Sequence, residues 1–347
     1  MERISLQIHG EYLNAKWNYK LDNLRLFHFC SYETAFRILD NKKFWATDII
    51  SMNDSRDGFV FFDYFVKCLS SKISALGGNL AAHVNRVNDP DFAINSYVSG
   101  FGNNIQEAMF CLLAKCVEIS EWRNNSGYAW KGIYLTSFCS NPDSDNLFNW
   151  LAYGDGGGGI GLGFNAMEFH NSVIMTPRTL PACEGQIFDS SLDPDIFKVI
   201  YMSKEKIEKK CQNIINEVFQ SLSSVDFNDF DFMRFGSVLT GLARNILFYS
   251  QIIKLDKFED EHEFRLLFSV EEGNRDSRLS NVFLGSCIYP VLEYDWGISA
   301  LDTIYFGAAL SSRQKSGFSR FIECIYLDTK LNRPRIVNSE INLQKRR

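Results

Sequence analysis

The chain has 347 residues and a formal net charge of −6, with 46% hydrophobic and 22% charged residues. This composition is typical of a folded globular protein, and the negative charge excludes broad non-specific binding to nucleic acid. The N-terminus carries no apolar stretch of signal-peptide length, and the most apolar segment is interrupted by Arg244. Nine cysteines form no CxxC pair, which favours reduced thiols, so we expect a cytoplasmic protein that does not enter a membrane.

The first predicted elements are two strands with a helix between them. LRLFHF alternates like a strand, and SYETAFRILDNKKF then predicts a helix. Ser31 is placed to cap that helix, with Ala35, Phe36 and Leu39 on its inner face. FWATDII is the second strand, and residues 59–125 are predicted to form a mostly helical insertion.

The rest of the chain alternates between further strands and helices. YLTSFCS and GIGLGF are predicted strands on either side of a short helix, and EGQIFDS and FKVIYM are further extended segments. The amphipathic helix KEKIEKKCQNIINEVFQSL and the more apolar helix FGSVLTGLARNILFYSQII precede the strands EHEFRLLFSV, CIYPVLEY and TIYFGAAL. We therefore predict an α+β fold with a mixed, mostly antiparallel sheet and inserted helices, as one domain over residues 1–329. Residues 330–347 form a basic polar tail.

The segment LFNWLAYGDGGGGIGLGF contains seven glycines. A phosphate-binding loop places its glycines after a strand and before a helix, whereas here a helix precedes the glycines and a strand follows. The segment is therefore not predicted to bind phosphate. We expect Gly154 to end the helix with a positive φ, and Gly161 and Gly163 to leave one strand face bare for a close neighbour.

Trp150 and Tyr153 lie three positions apart on the predicted helix that precedes the glycines. Such a pair is consistent with two roles. It either packs in the core or forms a surface on which a planar ring stacks, beside the bare glycine strand. The sequence leaves both interpretations open.

KLDKFEDEHEFRLLF is the most distinctive charged segment. If it is one strand, His262 and Phe264 point to one side, and Glu261, Glu263 and Arg265 form a row on the other, about 7 Å apart at each step. One interpretation is a solvated face whose charges compensate each other. The other is a functional site in which adjacent carboxylates raise each other's pKa and Arg265 holds one of them ionised.

Short motifs along the chain occur in a recognisable order. They are LFHF-CS with a following helix, Asn53-Asp54, SFC, W-x-x-Y with a Gly-rich strand, an aromatic-x-x-E-x-E-x-R strand and a closing I-x-FG. This order resembles the bacterial family called domain of unknown function 2971, over most of the chain up to Gly307. Two motifs depart from that family. Its Asn-Asp-Pro-x-Glu stands here as Asn53-Asp54-Ser55-Arg56-Asp57, and Phe258 stands where it has Trp before the acidic pair. These departures weaken any role assigned to Asp57 or to an indole at position 258.

The order of an early His strand, a middle segment and a late Glu strand also resembles, more distantly, the ADP-ribosyltransferase fold, in which NAD lies across a split β-sheet. The resemblance implies an enzyme that cleaves NAD without a metal, either transferring ADP-ribose or hydrolysing NAD. Its acceptor would be a protein, a nucleic acid or water. Its role would be either in housekeeping or as a toxin or antiviral defence effector in bacterial conflict. The implied site consists of His28 on the adenosine-side ribose, Ser137 in the cleft wall, and Tyr153 (or Trp150) stacked on nicotinamide. Glu263 is the implied catalytic carboxylate, Arg265 is counted among the residues that bind NAD, and Glu261 lies toward the acceptor.

Two other function classes fit parts of the sequence. A metal-dependent nuclease or hydrolase would bind Mg²⁺ through Asp54, Asp57, Glu261 and Glu263. Against it, Arg265 stands where nucleases with an Asp…Glu-x-Lys motif have lysine, and arginine stays charged and transfers protons poorly. A non-enzymatic sensor or interaction module would use the acidic row as a docking face. Isolated histidines and unpaired cysteines exclude a zinc site of ordinary ligand spacing.

Overall fold

The structure is a computed structural model. It describes residues 21–49, 57–76, 108–114, 116, 132–140, 146–174, 195–223, 232–270, 279–284, 287–327 and 329–341. The predicted strand EGQIFDS and the candidate metal ligand Asp54 lie outside these residues. No helix within the described ranges is long and apolar enough to cross a membrane.

The described elements are numbered in chain order. Strands β1 to β12 are Arg25–Cys30, Lys43–Asp48, Gly132–Cys139, Ile160–Asn165, Asp195–Lys198, Ile200–Met202, Ile253–Leu255, Glu263–Val270, Leu279–Leu284, Cys287–Asp295, Leu301–Phe306 and Arg335–Asn338. Helices α1 to α7 are Tyr32–Asn41, Val60–Ala75, Leu147–Ala152, Ala166–Ile174, Lys204–Ser223, Phe232–Ser250 and Ser312–Tyr326. Residues 108–114 are also helical.

Contacts between Cα atoms divide the chain into two compact units. The first comprises Met1–Ala15, Asn53–Ala129 and Ile200–Phe258, and the second comprises Lys16–Met52, Trp130–Val199 and Glu259–Arg347. The first unit contains α2, α5, α6 and a parallel pair of strands, β6 and β7. The amphipathic pattern of α5 is confirmed, because the following side chains are buried: Ile207, Cys211, Ile214, Val218 and Leu222.

The second unit is built on a ten-stranded sheet. Its main path runs β12-β11-β4-β1-β3-β2-β10-β9, and β8 pairs with both β3 and β5. Its strand pairs are antiparallel except for β11 with β12, which is parallel. The predicted α+β class with a mixed, mostly antiparallel sheet is therefore confirmed.

Helix α1 shows how local sequence positions the core. The Ser31 side chain accepts a hydrogen bond from the backbone N of Thr34, as expected of a cap. Ala35 and Leu39 are buried as predicted, but Phe36 is exposed and Ile38 is buried instead. The prediction for Phe36 is wrong because the buried stripe of this helix lies on the side of Ile38.

The glycines of β4 serve packing. A Cβ at Gly161 would lie 3.0 Å from the ring of Phe29, and a Cβ at Gly163 would lie 2.8 Å from the ring of Phe27. Both rings come from β1 and cover the bare face, so the expectation of a close neighbour is confirmed. A side chain on either glycine would displace a ring.

Gly154 follows α3 but has a φ of −91°, so the predicted positive φ is wrong at this position. Positive φ values occur next, at Asp155, Gly156 and Gly157, with 52°, 60° and 87° respectively. Gly154 is required for space instead, because its Cβ would lie 2.5 Å from the ring of Trp150.

Candidate active site

Strand β3 forms the centre of a split in the sheet. Along one edge it pairs with β8 over its whole length, from Gly132 to Cys139. Along the other edge it pairs with β1 only at Cys139, and with β2 only at Tyr134 and Leu135. Within the described part of the sheet, neither strand pairs with residues 136–138. The two strands therefore part from β3 and leave an opening between them.

This opening is a cavity of about 180 Å³, which we call the cleft. Its lining comes from β1, β2, β3, the end of α3 and the start of β8. The lining residues are Phe27, His28, Phe29, Trp45, Thr47, Leu135, Thr136, Ser137, Phe138, Cys139, Asn149, Tyr153, Glu261 and Glu263. The prediction that His28, Ser137 and Glu263 converge on one cleft is confirmed.

Side chains take the place of backbone pairing at the split. The Nδ1 atom of His28 lies 3.1 Å from the carbonyl oxygen of Ser137. The hydroxyl of Thr136 donates to the carbonyl oxygen of Trp45 at 3.1 Å. These bonds satisfy carbonyl groups that would otherwise be left unpaired in a partly buried place.

Glu263 is held by two side chains on the same sheet face. Ser137 lies opposite Arg265, and Cys139 lies opposite Glu263, in the pairing of β3 with β8. The hydroxyl of Ser137 donates to Oε1 of Glu263 at 2.6 Å. The guanidinium of Arg265 donates from Nε to Oε1 at 2.8 Å and from Nη2 to Oε2 at 3.1 Å. A carboxylate with this two-point contact to arginine is fixed in orientation.

Burial decides between the two interpretations of the charged segment. Glu263 is 6% exposed and Arg265 is 2% exposed. Charged side chains are rarely buried to this degree unless they are paired. The interpretation of a solvated ion row is therefore wrong.

Glu261 does not belong to the same strand row. It ends a 3-10 helix, Asp256–Glu261, and β8 begins only at Glu263. His262 between them has a φ of 46°, which breaks the extended chain, so the predicted row of three is wrong. Glu261 is nevertheless buried and lines the cleft, because the turn at His262 returns it toward β3.

His28 enters the cleft from the opposite sheet face. Its ring packs edge-on against Phe44 and Phe138, at centroid distances of 5.2 and 5.8 Å. Burial lowers the pKa of His28 below its ordinary value, and the hydrogen bond with Ser137 opposes that shift in part. The ring is therefore neutral at pH 7. Since Nδ1–H donates to a carbonyl oxygen, Nε2 carries the lone pair and acts as an acceptor.

Of the aromatic pair, Trp150 packs in the core and Tyr153 is accessible at the cleft. Tyr153 lines the cleft and is 50% exposed. Trp150 is fully buried in a cluster with Phe27, Phe29 and Tyr305, and its ring lies edge-on to Phe29 at 4.8 Å. Trp150 cannot stack on a ligand from this position, so its assignment as a stacking residue is wrong. Tyr153, whose ring is accessible, remains the candidate stacking residue.

Asn149 is a cleft residue that sequence reasoning missed. It lies on α3 between apolar neighbours, is 1% exposed, and donates from Nδ2 to the Sγ atom of Cys139 at 3.3 Å. Its Oδ1 atom accepts no hydrogen bond from the described residues. The available signal was an amide side chain inside the otherwise apolar run LFNWLA.

Comparison with known proteins assigns this chain to no family. The sequence matches no protein-family model, and no curated protein or solved structure matches it. The described residues contain no group of three or more His, Cys, Asp or Glu side chains that could hold a metal ion.

Proposed function

We propose that the cleft binds the nicotinamide riboside end of NAD and that the protein cleaves the bond between nicotinamide and ribose. The observation that carries this proposal is the buried carboxylate of Glu263, fixed by Ser137 and Arg265 inside a split sheet. ADP-ribose then passes to an acceptor, which is a protein, a nucleic acid or water. The likeness to ADP-ribosyltransferases stays a prediction that the same experiment addresses.

The charge that develops in this reaction matches the residue at the cleft. As the bond to nicotinamide breaks, positive charge builds on the sugar, as in glycoside cleavage. A carboxylate that is already ionised and oriented stabilises that charge without reorganising. Arg265 and Ser137 hold Glu263 in this state before substrate arrives. Glu261, on the turn beside it, is the candidate for orienting or deprotonating the acceptor.

His28 and Tyr153 supply complementary contacts to the nucleotide. The neutral His28 presents Nε2 as an acceptor, which suits a ribose hydroxyl as donor. Because His28 and Glu263 line the same small cleft, we assign this contact to the nicotinamide-side ribose instead of the adenosine-side ribose. Tyr153 offers an accessible ring at the cleft for stacking on nicotinamide. The cavity of about 180 Å³ is smaller than the roughly 300–1,000 Å³ of typical ligand pockets, so it holds one end of the dinucleotide rather than all of it.

The test is nicotinamide release by purified protein, measured with Mg²⁺ and with a chelator. Glu263→Gln keeps the shape of the side chain and removes its charge. Because Arg265 loses its counter-charge, we expect a lower free energy of unfolding. The folded variant should bind NAD nearly as well as wild type and lose roughly two or more orders of magnitude in rate. Glu261→Gln is expected to lose less in NAD cleavage and more in transfer to an acceptor.

Glu293→Gln is the matched control for this test. Glu293 also contacts a cation and a hydroxyl, with Lys43 at 3.3 Å and Ser280 at 3.5 Å, but it lies outside the cleft. We expect its rate to equal that of wild type. A Glu263→Gln enzyme as fast as wild type, or a wild-type activity that requires the metal, would overturn the proposal.

The two rival functions are outcomes of the same assay. A metal-dependent hydrolase would act on other substrates only with Mg²⁺, and its cation would have to compete with Arg265 for the oxygens of Glu263. A sensor module would bind NAD or ADP-ribose without releasing nicotinamide. Thermal-shift measurements with NAD, ADP-ribose and Mg²⁺ separate these cases from the proposed enzyme.

A further inference from the structure

The side-chain amide of Asn149 is incompletely bonded although it is buried. Its Nδ2 atom donates to Cys139 Sγ at 3.3 Å, while Oδ1 accepts from none of the residues that the structure describes. A buried acceptor without a donor costs about 1–3 kcal/mol. Asn149 carries this cost in the wall of a cleft, which points to a donor supplied by a ligand. Oδ1 is itself closed to solvent, so the side chains around it must shift for that donor to reach it.

The thiol of Cys139 fixes which way the amide faces. Burial raises the pKa of Cys139 to about 12, with a further contribution from the charge of Glu263. The thiol is therefore protonated, and it donates to the carbonyl oxygen of Phe27 at 3.6 Å. Its hydrogen is not available to Asn149, so the sulfur can only accept. The amide must point Nδ2 toward the sulfur and Oδ1 away from it.

Asn149 lies close to the proposed reacting bond. Cys139, its hydrogen-bond partner, stands directly opposite Glu263 in the pairing of β3 with β8. Directly opposite residues share a sheet face, with Cβ atoms about 4.5–5.5 Å apart. Only the side chain of Cys139 therefore connects the amide of Asn149 to the position of Glu263. Both Asn149 and Glu263 line the cleft.

We propose that Oδ1 of Asn149 accepts a hydrogen bond from the carboxamide NH₂ of nicotinamide and thereby selects NAD over analogues without that group. This inference rests on the proposed function. A nicotinate carboxylate in the same place offers no N–H donor and brings a negative charge toward Glu263. A methyl ketone is neutral and of similar size but also lacks the donor, so it isolates the hydrogen bond from the charge.

The experiment measures dissociation constants by calorimetry for NAD and for 3-acetylpyridine adenine dinucleotide, in which a methyl ketone replaces the carboxamide. Glu263→Gln serves as the background, because it is expected to bind without rapid turnover. We expect a preference for NAD of about tenfold or more, since the analogue leaves Oδ1 unpaired. Asn149→Leu is expected to bring the two constants within about twofold, because Leu has no acceptor to leave unpaired.

Two further variants keep the result interpretable. Asn149→Asp retains an acceptor, and its protonated form, which burial favours, can still donate to Cys139 Sγ. It should therefore retain the preference, whereas a purely structural role of the side chain predicts no such rescue. Asn146 caps α3, because its Oδ1 accepts a hydrogen bond from the backbone N of Phe148 at 2.8 Å. Asn146→Ala removes this cap and should leave the preference for NAD unchanged. If Asn149→Leu does not fold, equal affinity for the two dinucleotides in the Glu263→Gln background, or loss of the preference in Asn149→Asp, overturns the role of Asn149.

The outcomes distinguish this inference from the proposed function. Equal affinity for both dinucleotides in the Glu263→Gln background, or an unchanged preference in Asn149→Leu, overturns the role of Asn149 while nicotinamide release still stands. Binding with the expected preference but no nicotinamide release in wild type supports the recognition and overturns the chemistry. No binding of either dinucleotide overturns both.

Discussion

Two ion pairs in the sheet unit have the same Nε–carboxylate distance and opposite surroundings. Arg265 Nε lies 2.8 Å from Glu263 Oε1, and Arg25 Nε lies 2.8 Å from Asp302 Oδ2. The side chains of the first pair are 3% and 7% exposed, and those of the second are 56% and 27% exposed. Water screens the second pair, whereas the first has lost its hydration and depends on its partner. Burial, rather than the contact distance, therefore sets what each pair contributes.

Removing one member of each pair should separate them most clearly. Arg265→Ala leaves the carboxylate of Glu263 buried without its cation, and we expect the free energy of unfolding to fall by about 3–5 kcal/mol. Arg25→Ala is the matched control, with an expected change of about 0–1 kcal/mol. Urea unfolding followed by circular dichroism measures both. Equal losses in the two variants would show that burial does not distinguish these pairs.

Unfolding at acidic pH tests whether burial makes the charged form of His28 as costly as it makes an unpaired Glu263. Its pKa in the folded protein is lowered from 6.5, so the unfolded chain takes up a proton first as the pH falls. Stability should therefore decrease as the pH falls through 6.5, with a slope of at most about 1.4 kcal/mol per pH unit, and level off below the folded pKa. His28→Gln should lack this component in urea unfolding between pH 7.5 and 5. An identical pH profile for both proteins would contradict the assignment.

Replacing the whole buried pair should affect stability least. In Glu263→Leu/Arg265→Met both charges leave together, so neither member of this pair stays buried without the other. We expect the free energy of unfolding to stay within about 1 kcal/mol of wild type or to rise, while nicotinamide release is lost. A loss of stability as large as that of Arg265→Ala would mean that the pair maintains the fold rather than the proposed chemistry.

Local patterns in the sequence were sufficient for several parts of the structure. The Ser31 cap, the buried face of α5 and the packing role of Gly161 and Gly163 each depend on neighbours in the chain or on the shape of one residue. The convergence of the His28, Ser137 and Glu263 strands was also predicted, through the order of motifs rather than through local pattern.

Other features depend on contacts that the sequence does not display. Strand alternation places Glu263 and Arg265 on one face, but it does not tell whether that face is covered, and here it is buried. A single left-handed residue, His262, removed Glu261 from the predicted row. Asn149 was missed because its significance comes from a distant thiol, Cys139, and from an oxygen atom without a donor.

Long-range pairing also explains the strand that was missed at the end of the chain. Strand β12 lies in the segment that was predicted to be a polar tail, and it pairs in parallel with β11 from Thr303 to Phe306. Its side chains are mostly exposed, so the segment has no apolar alternation to indicate a strand. Helix α7 was missed although Ser311 and Gln314 form a capping box at its start.

The glycines of β4 have a consequence for the position of His28 along the sheet. Phe27 pairs with Gly163 and Phe29 pairs with Gly161, so each ring of β1 lies where β4 has no side chain. A slip of β1 by one residue would set these rings against Leu162 and Phe164, and would turn His28 to the other face. Gly161 and Gly163 do not line the cleft, but they fix the register of β1 and so the position of His28 at the proposed ribose contact.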